Sequence, residues 1–257
     1  MQSSGGIKVA GKRLLVVVAA FLFALLPVNA YAMHIGEGIL PFNWCALWYA
    51  AAMPFVALGL YKLKKDKTFG RMKPLLGMMA AAVFIISCMP IPVPTAGTCS
   101  HPAGTAMAAI LIGPVYSILV TAVALLLQAL FLAHGGITTW GANIFSMGIV
   151  GSFTGYFVFK GLTRLKVPLP VAAFFAGILG DWAVYATTSF ELASALHVPG
   201  GFNRLFYTIA LAFVPTQLPL GVLEGFMTAG AVRFLHSRRP ELFGVKALKP
   251  AAIKVEA

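Results

Sequence analysis

The sequence predicts an all-α polytopic membrane protein. It would have seven transmembrane helices after signal-peptide removal, with the N-terminus outside and the C-terminus cytoplasmic. Three observations predict this. Of 257 residues, 60% are hydrophobic and only 10% charged, whereas soluble domains are about a quarter charged. The apolar residues fall into a series of long segments, as membrane crossings require. The basic residues behind the net charge of +12 cluster between those segments and at the two ends. That is a topology signal. No basic stripe is interleaved with aromatics, which argues against nucleic acid as a partner.

Residues 1–32 read as a cleavable signal peptide. Lys8, Lys12 and Arg13 form a basic start, Leu14 to Val28 a 15-residue apolar run, and Ala30-Tyr31-Ala32 a small-x-small cleavage site. The run is short for a spanning helix and suits a signal; the alternative is an uncleaved anchor. Cleavage would leave Met33 first and His34 second. The apolar segments that follow are approximately 42–61, 75–90, 102–112, 115–133, 143–160, 168–195 and 204–236. The third would be about 16 Å long, half a hydrocarbon core. It could fuse with the fourth through a kink at Gly113-Pro114.

Loop charge decides against fusion. Lys62–Lys73 holds six basic residues and one acid. Lys160, Arg164 and Lys166 mark a second basic loop, and Arg238, Arg239, Lys246, Lys249 and Lys254 a basic tail. Separate third and fourth crossings put all three on the cytoplasmic side. The domains are then a signal at 1–32, a transmembrane domain at 33–236 and a cytoplasmic tail at 237–257. The uncharged, proline-broken stretch Ile91–Ser100 precedes the short third helix. Irregular backbone at membrane depth is tolerated only when buried in protein or lining a cavity, so this stretch is a site candidate. Three cysteines, Cys45, Cys88 and Cys99, without a Cys-x-x-Cys pair, suggest neither a disulfide framework nor a zinc knuckle.

This topology puts His34, His101, His134 and His197 near the outer face and His236 at the inner end of the last helix. A histidine in second position offers particular chemistry. The α-amine of Met33, the backbone nitrogen of His34 and the His34 imidazole can close adjacent chelate rings on one metal. One further imidazole, such as that of His101, completes a planar nitrogen set. Such a set suits Ni(II) or Cu(II) and can hold Co(II). It suits Mg(II) and Ca(II) poorly, because those ions want oxygen. The backbone nitrogen must lose a proton, so affinity should rise with pH. The competing reading makes His34 a bystander of the cleavage site and His101 a helix-start residue before Pro102.

At these residues the chain resembles the CbiM/NikM family, substrate-binding membrane components of energy-coupling-factor transporters for cobalt and nickel. "MHIGEGILP" at 33–41 looks like that family's mature N-terminus, and "GTCSHPAGTAMAAILIGP" at 97–114 its His-Pro segment. "LLLQALFLAHGGITTWGANIFSMGIVG" at 125–151, "GDWAVYATTSFELA" at 180–193 and "FVPTQLPLGVLEGF" at 213–226 follow in order. The resemblance is closer to the cobalt branch. It implies a seven-helix fold with the N-terminal segment inserted into the helix bundle, in a bacterial cytoplasmic membrane. It implies Co(II) as transported substrate, supplying cobalamin biosynthesis, with Ni(II) the alternative, and no cofactor. The metal ligands would be Met33, His34 and His101. The partners implied are CbiO-like ATPase subunits, a CbiQ-like coupling subunit and a small CbiN-like accessory subunit. The chain has no phosphate-binding loop of its own, so energy would come from those partners. Gly36 departs from the family, which often carries a larger residue there, and puts the tightness of the N-terminal turn in question.

Other residues keep two readings. Asp181 and Glu224 lie in apolar segments, where a carboxylate is a functional candidate; they either support the site or make structural hydrogen bonds. His134 and Asn143 flank a loop that could cover the N-terminal segment, as lid or outer support of the metal. Gly135 would then simply cap a helix. The alanine patches at 50–52 and 80–82 permit close helix approach, inside the fold or against a partner. An intramembrane enzyme would need a nucleophile–base pair or a catalytic zinc, and neither His-Glu-x-x-His nor Gly-x-Ser-x-Gly occurs. A free-standing channel or facilitator would need a continuous polar path, which these segments do not offer.

Overall fold

The computed structural model describes residues 34–66, 69–89, 91–93 and 98–240. The expected signal peptide, Met33 and the tail beyond residue 240 lie outside the described residues.

Among the described residues seven helices succeed one another, with the run from Trp140 to Arg164 taken as one. Helix α1 (Phe42–Lys65) runs uncharged to Tyr61 and ends in Lys62, Lys64 and Lys65, the sign a helix C-terminus favours. Helix α2 (Phe69–Ser87) leads into a two-stranded antiparallel ribbon, β1 (Ile91–Val93) and β2 (Thr98–Ser100), with Pro92 opposite Cys99. Helix α3 (Thr105–Ile112) and helix α4 (Pro114–Phe131) are separated by Gly113 at φ 85° and ψ 153°. Only glycine adopts that backbone readily, so the junction is a break between two helices and not a kink. Helix α5 spans Trp140–Arg164 and has a π-helical middle at Ile144–Gly151. Helix α6 (Leu169–Leu196) and the long helix α7 (Phe202–Arg238) complete the fold.

Among the described residues five helices, α1, α4, α5, α6 and α7, are long and apolar enough to cross a membrane. The all-helical expectation holds apart from the short ribbon. The expectation of seven membrane crossings is met in part, and the third helix is short, as the sequence predicts. The apolar part of α2 is only Met72–Ser87, and α3 has eight residues. Pro102 and the left-handed Gly104 (φ 70°) delay the start of α3.

Every residue of α3 is buried. Around it, Ile118 of α4, Met147 of α5, Val184 and Tyr185 of α6 and Phe213 of α7 form the main apolar core. Helices α6 and α7 lie backbone to backbone. A Cβ on Gly177 would stand 2.8 Å from the Glu224 carbonyl oxygen, and one on Gly225 2.8 Å from that of Phe174. Small residues allow such contact in lipid, where dispersion and not the hydrophobic effect holds helices together. Phe157, Phe175, Leu211, Phe226 and Phe234 point outward, as a lipid-facing surface requires. Within the alanine patches, Ala52 is buried in the core while Ala50 and Ala81 are exposed.

Candidate metal site

The site is built where three irregular segments meet: residues 34–40 ahead of α1, Ser100–Gly104 ahead of α3, and residues 132–139 between α4 and α5. His34 and its neighbours are held by the third segment and the start of α5. Asn143 Oδ1 accepts the Ile35 N–H at 2.8 Å, and Asn143 Nδ2 donates to the Ile35 carbonyl at 3.2 Å. The Thr139 hydroxyl donates to the same carbonyl, and the Thr138 N–H donates to Glu37 Oε2 at 3.1 Å. That pairing, led by the contact with Thr138, holds the Glu37 carboxyl below its usual range.

The two glycines of this loop are needed for close approach. A Cβ on Gly136 would stand 2.7 Å from the Glu37 backbone nitrogen, and one on Gly135 (φ 83°) 3.1 Å from His34 Cβ. Gly135 is not the cap of α4. Leu132 is the cap residue, and the left-handed residue after it is Ala133, at φ 49°. Gly36 has ordinary room, with Ile39 Cδ1 3.4 Å from a Cβ there. The turn therefore takes its tightness from the clamp on Ile35.

His101 is fixed from the other side, by α6 and α7. The Tyr185 hydroxyl accepts the His101 N–H at 3.1 Å and donates to the His101 carbonyl at 2.9 Å. The Glu224 carboxylate accepts the N–H groups of Ala103 at 2.6 Å and Gly104 at 3.0 Å. Ser100 Oγ bonds Thr216 Oγ1 at 2.9 Å and accepts from Gln217 Nε2. Asp181 is buried beside Glu224. The irregular stretch expected at membrane depth is paired as a ribbon at residues 91–93 and 98–100, and Ser100 at its far end is buried.

His34, His101 and His134 converge. The ring centroids of His34 and His101 lie 4.7 Å apart, those of His34 and His134 4.8 Å, and those of His101 and His134 5.3 Å. One nitrogen of each ring lies within 4.8 Å of the other two. His34 Nε2 faces Met147 Sδ at 3.3 Å, and His101 Nδ1 faces the Pro102 carbonyl at 3.0 Å. The remaining nitrogens, His34 Nδ1 and His101 Nε2, have no hydrogen-bond partner among the described residues, nor has His134 Nε2. Burial, then the neighbouring His101 and His134, hold the His34 ring well below its ordinary pKa. Burial, then His134, pushes His101 down to about 3, and burial lowers His134. Three neutral imidazoles with free lone pairs are the protonation state metal binding needs.

His197 stands apart, its Nδ1 on the Ala193 carbonyl at the end of α6. Sequence reasoning missed Met147, Tyr185 and Thr139, which carry no motif and meet the site only through the fold. It also passed over Glu191, a fully buried α6 carboxylate with both oxygens unpartnered among the described residues. Its position inside an apolar segment was the available signal.

Membrane-length apolar helices packed around buried, converging imidazoles define a multi-pass membrane protein with a nitrogen-lined interior site. The chain belongs to the CbiM family: the family model described as the cobalt uptake substrate-specific transmembrane region matches residues 34–242. It is 61% identical over 222 residues to a cobalt transport protein CbiM of Geobacter sulfurreducens, covering 85% of this chain and 63% of that protein. It is 59% identical over 211 residues to a CbiM of Sorangium cellulosum, covering 82% and 94%. A solved structure of a truncated transition metal transporter superposes with a TM-score of 0.71 at 28% identity, over 80% of this chain and 99% of that one.

Proposed function

We propose that this chain captures Co(II) as the substrate-binding membrane subunit of an ATP-driven importer that supplies cobalamin biosynthesis. One observation carries the reading: three imidazoles, two buried and one half-buried, converge with one nitrogen of each ring within 4.8 Å of the others, and each ring keeps a buried nitrogen without a hydrogen-bond partner among the described residues. Imidazole nitrogen suits late first-row divalent ions and not Mg(II) or Ca(II). The ion is held by the freed Met33 amine, the His34 backbone nitrogen, His34 Nδ1 and His101 Nε2. In His34, Nδ1 is the atom that closes a chelate ring with its own backbone nitrogen, and it is the unpartnered one. Ni(II) is the second reading, because the same nitrogens take both ions.

The chain is placed in a bacterial cytoplasmic membrane with seven crossings, the trimmed N-terminus outside and the tail inside. Two contacts between helix ends support this: Tyr116 at the start of α4 donates to Asp66 beyond α1 at 2.7 Å, and Gln128 near the end of α4 donates to Ser87 at the end of α2 at 2.7 Å. The third crossing is then completed by the buried loop before α3. An ATPase pair, a coupling membrane subunit and a small accessory subunit supply the energy and the movement.

The test is the intact mass of the purified membrane protein with and without Co(II). The expected result is a chain starting at Met33 that retains one metal, lost in His34→Ala and His101→Ala. A chain starting at Met1 that still retains metal would overturn the amine-based site.

A further inference from the structure

The planar set uses two of the three converging imidazoles and leaves His134 without a task. We infer that His134 Nε2 is a fifth, axial ligand to the same ion, an inference that rests on the proposed site at His34 and His101.

Three independent features point to it. The first is position. His134 Nε2 is a buried atom with no hydrogen-bond partner among the described residues, and one nitrogen of the His134 ring lies within 4.8 Å of one nitrogen each of His34 and His101. Leaving such an atom unsatisfied costs about 1–3 kcal/mol. The two neighbouring rings, His34 and His101, each carry an unpartnered nitrogen as well, and a cation bound among the three rings would satisfy all three.

The second is orientation. An imidazole that closes a chelate ring with its own backbone lies near the chelate plane. A ligand above that plane brings its ring in edge-on to the metal, and so perpendicular to the plane. The His134 ring makes an angle of 88° with the His34 ring, while His101 makes 49°.

The third is how the chain puts the ring there. After α4 ends, Ala133 takes a left-handed φ of 49°, uncommon for a residue with a side chain. The His134 N–H turns back to the Gln128 carbonyl at 3.2 Å, and Gly135 then passes against His34 Cβ. The loop that fixes His34 through Thr139 therefore also delivers His134 to it.

An axial ligand bears on which ion is chosen. Four coplanar nitrogens without an axial donor are the geometry that favours Ni(II) over Co(II). A fifth nitrogen makes the site square-pyramidal and removes that advantage of nickel, so His134 shifts selection from nickel toward cobalt.

The test uses the full chain in detergent, loaded with Co(II), and compares wild type with His134→Ala, His134→Gln and His101→Ala by X-ray absorption at the cobalt edge. Three imidazoles in wild type and two in His134→Ala are expected, with one cobalt still bound. The cobalt-to-nickel affinity ratio should fall by at least about 10-fold in His134→Ala, the scale on which metal sites respond to loss of a supporting group. Two imidazoles in wild type would overturn the inference, whether or not the variants fold. So would a His134→Ala or His134→Gln spectrum and affinity ratio equal to wild type while His101→Ala loses the metal, and the planar reading would then survive alone. Cobalt retained unchanged in His101→Ala would count against both.

Discussion

Asn143 grips one peptide from both sides, accepting the Ile35 N–H at 2.8 Å and donating to the Ile35 carbonyl at 3.2 Å. The residue gripped is the one after His34, and the gripping residue is the last before the π-helical middle of α5. The widened π turn sets Met147 Sδ 3.3 Å from His34 Nε2. A single helix therefore fixes both the backbone beside His34 and the ring of His34. Local departures of this kind inside helices are frequent at functional sites.

Replacing Asn143 with Leu should loosen the N-terminal segment without unfolding the bundle. The Ile35 N–H loses its acceptor, while the Ile35 carbonyl keeps Thr139. An unsatisfied buried donor costs about 1–3 kcal/mol, and loss of an outer support typically costs about 10–100-fold in metal affinity. Titration with Co(II) against a competing chelator, alongside circular dichroism, reads both. Wild-type affinity in Asn143→Leu would show that the clamp does not hold the metal site.

The opposite wall is held by Tyr185 and Glu224. Glu224→Gln keeps one acceptor oxygen and turns the other position into a donor facing an N–H, so one of the Ala103 and Gly104 N–H groups is left unpaired. Tyr185→Phe removes both hydrogen bonds to the His101 backbone. Each variant should lower the thermal midpoint and weaken Co(II) binding by about 10-fold or more. Because both act on one loop, the double variant should fall short of the sum of the single effects. Full additivity in a double-mutant cycle would separate the two residues.

Gly136→Ala adds one methyl group where none fits. Its Cβ would stand 2.7 Å from the Glu37 backbone nitrogen. Overpacking of that kind costs about 1–3 kcal/mol, and it would push residues 34–40 away from the loop that carries His134. Metal retention should drop sharply while the helical signal stays at its wild-type value. Gly70→Ala, with nothing within 4 Å of the added carbon, serves as the neutral comparison.

The helices were legible because membrane crossings write themselves as long apolar runs, and α1, α4, α6 and α7 lie close to the segments read from sequence. The start of α5 was placed late, at 143, because Trp140-Gly141-Ala142 carries little hydropathy of its own. The length of α3 was overestimated for a related reason: hydropathy persists through Pro102, Ala103 and Gly104, which are buried but not helical. His34 and His101 were readable from chelate chemistry and topology. Tyr185 was not, because a tyrosine in an apolar segment differs from its neighbours only when the fold brings a backbone to its hydroxyl. His134 was noticed as a loop residue, yet its place in the cluster depends on a left-handed Ala133 that no propensity announces.

The protonation state of the cluster makes the last prediction. In the unfolded chain each histidine takes up a proton near pH 6.5. In the folded protein burial holds His101 down to about 3 and His34 well below its ordinary value. The unfolded state thus binds more protons than the folded one between these limits, and stability rises with pH wherever that is so. The stabilisation is fully present above about pH 6.5 and is lost as pH falls from there toward 3, at up to about 1.4 kcal/mol per pH unit for each histidine involved. In metal-free protein the thermal midpoint in detergent should therefore be level from pH 8 to 7 and decline steadily from pH 6 to 4. His101→Gln, which cannot take up a proton in either state, should make that decline shallower. A midpoint that stays level down to pH 4, or an unchanged slope in His101→Gln, would mean that the rings can be charged in the folded protein. The lone pairs would then be free for metal only near neutral pH and above.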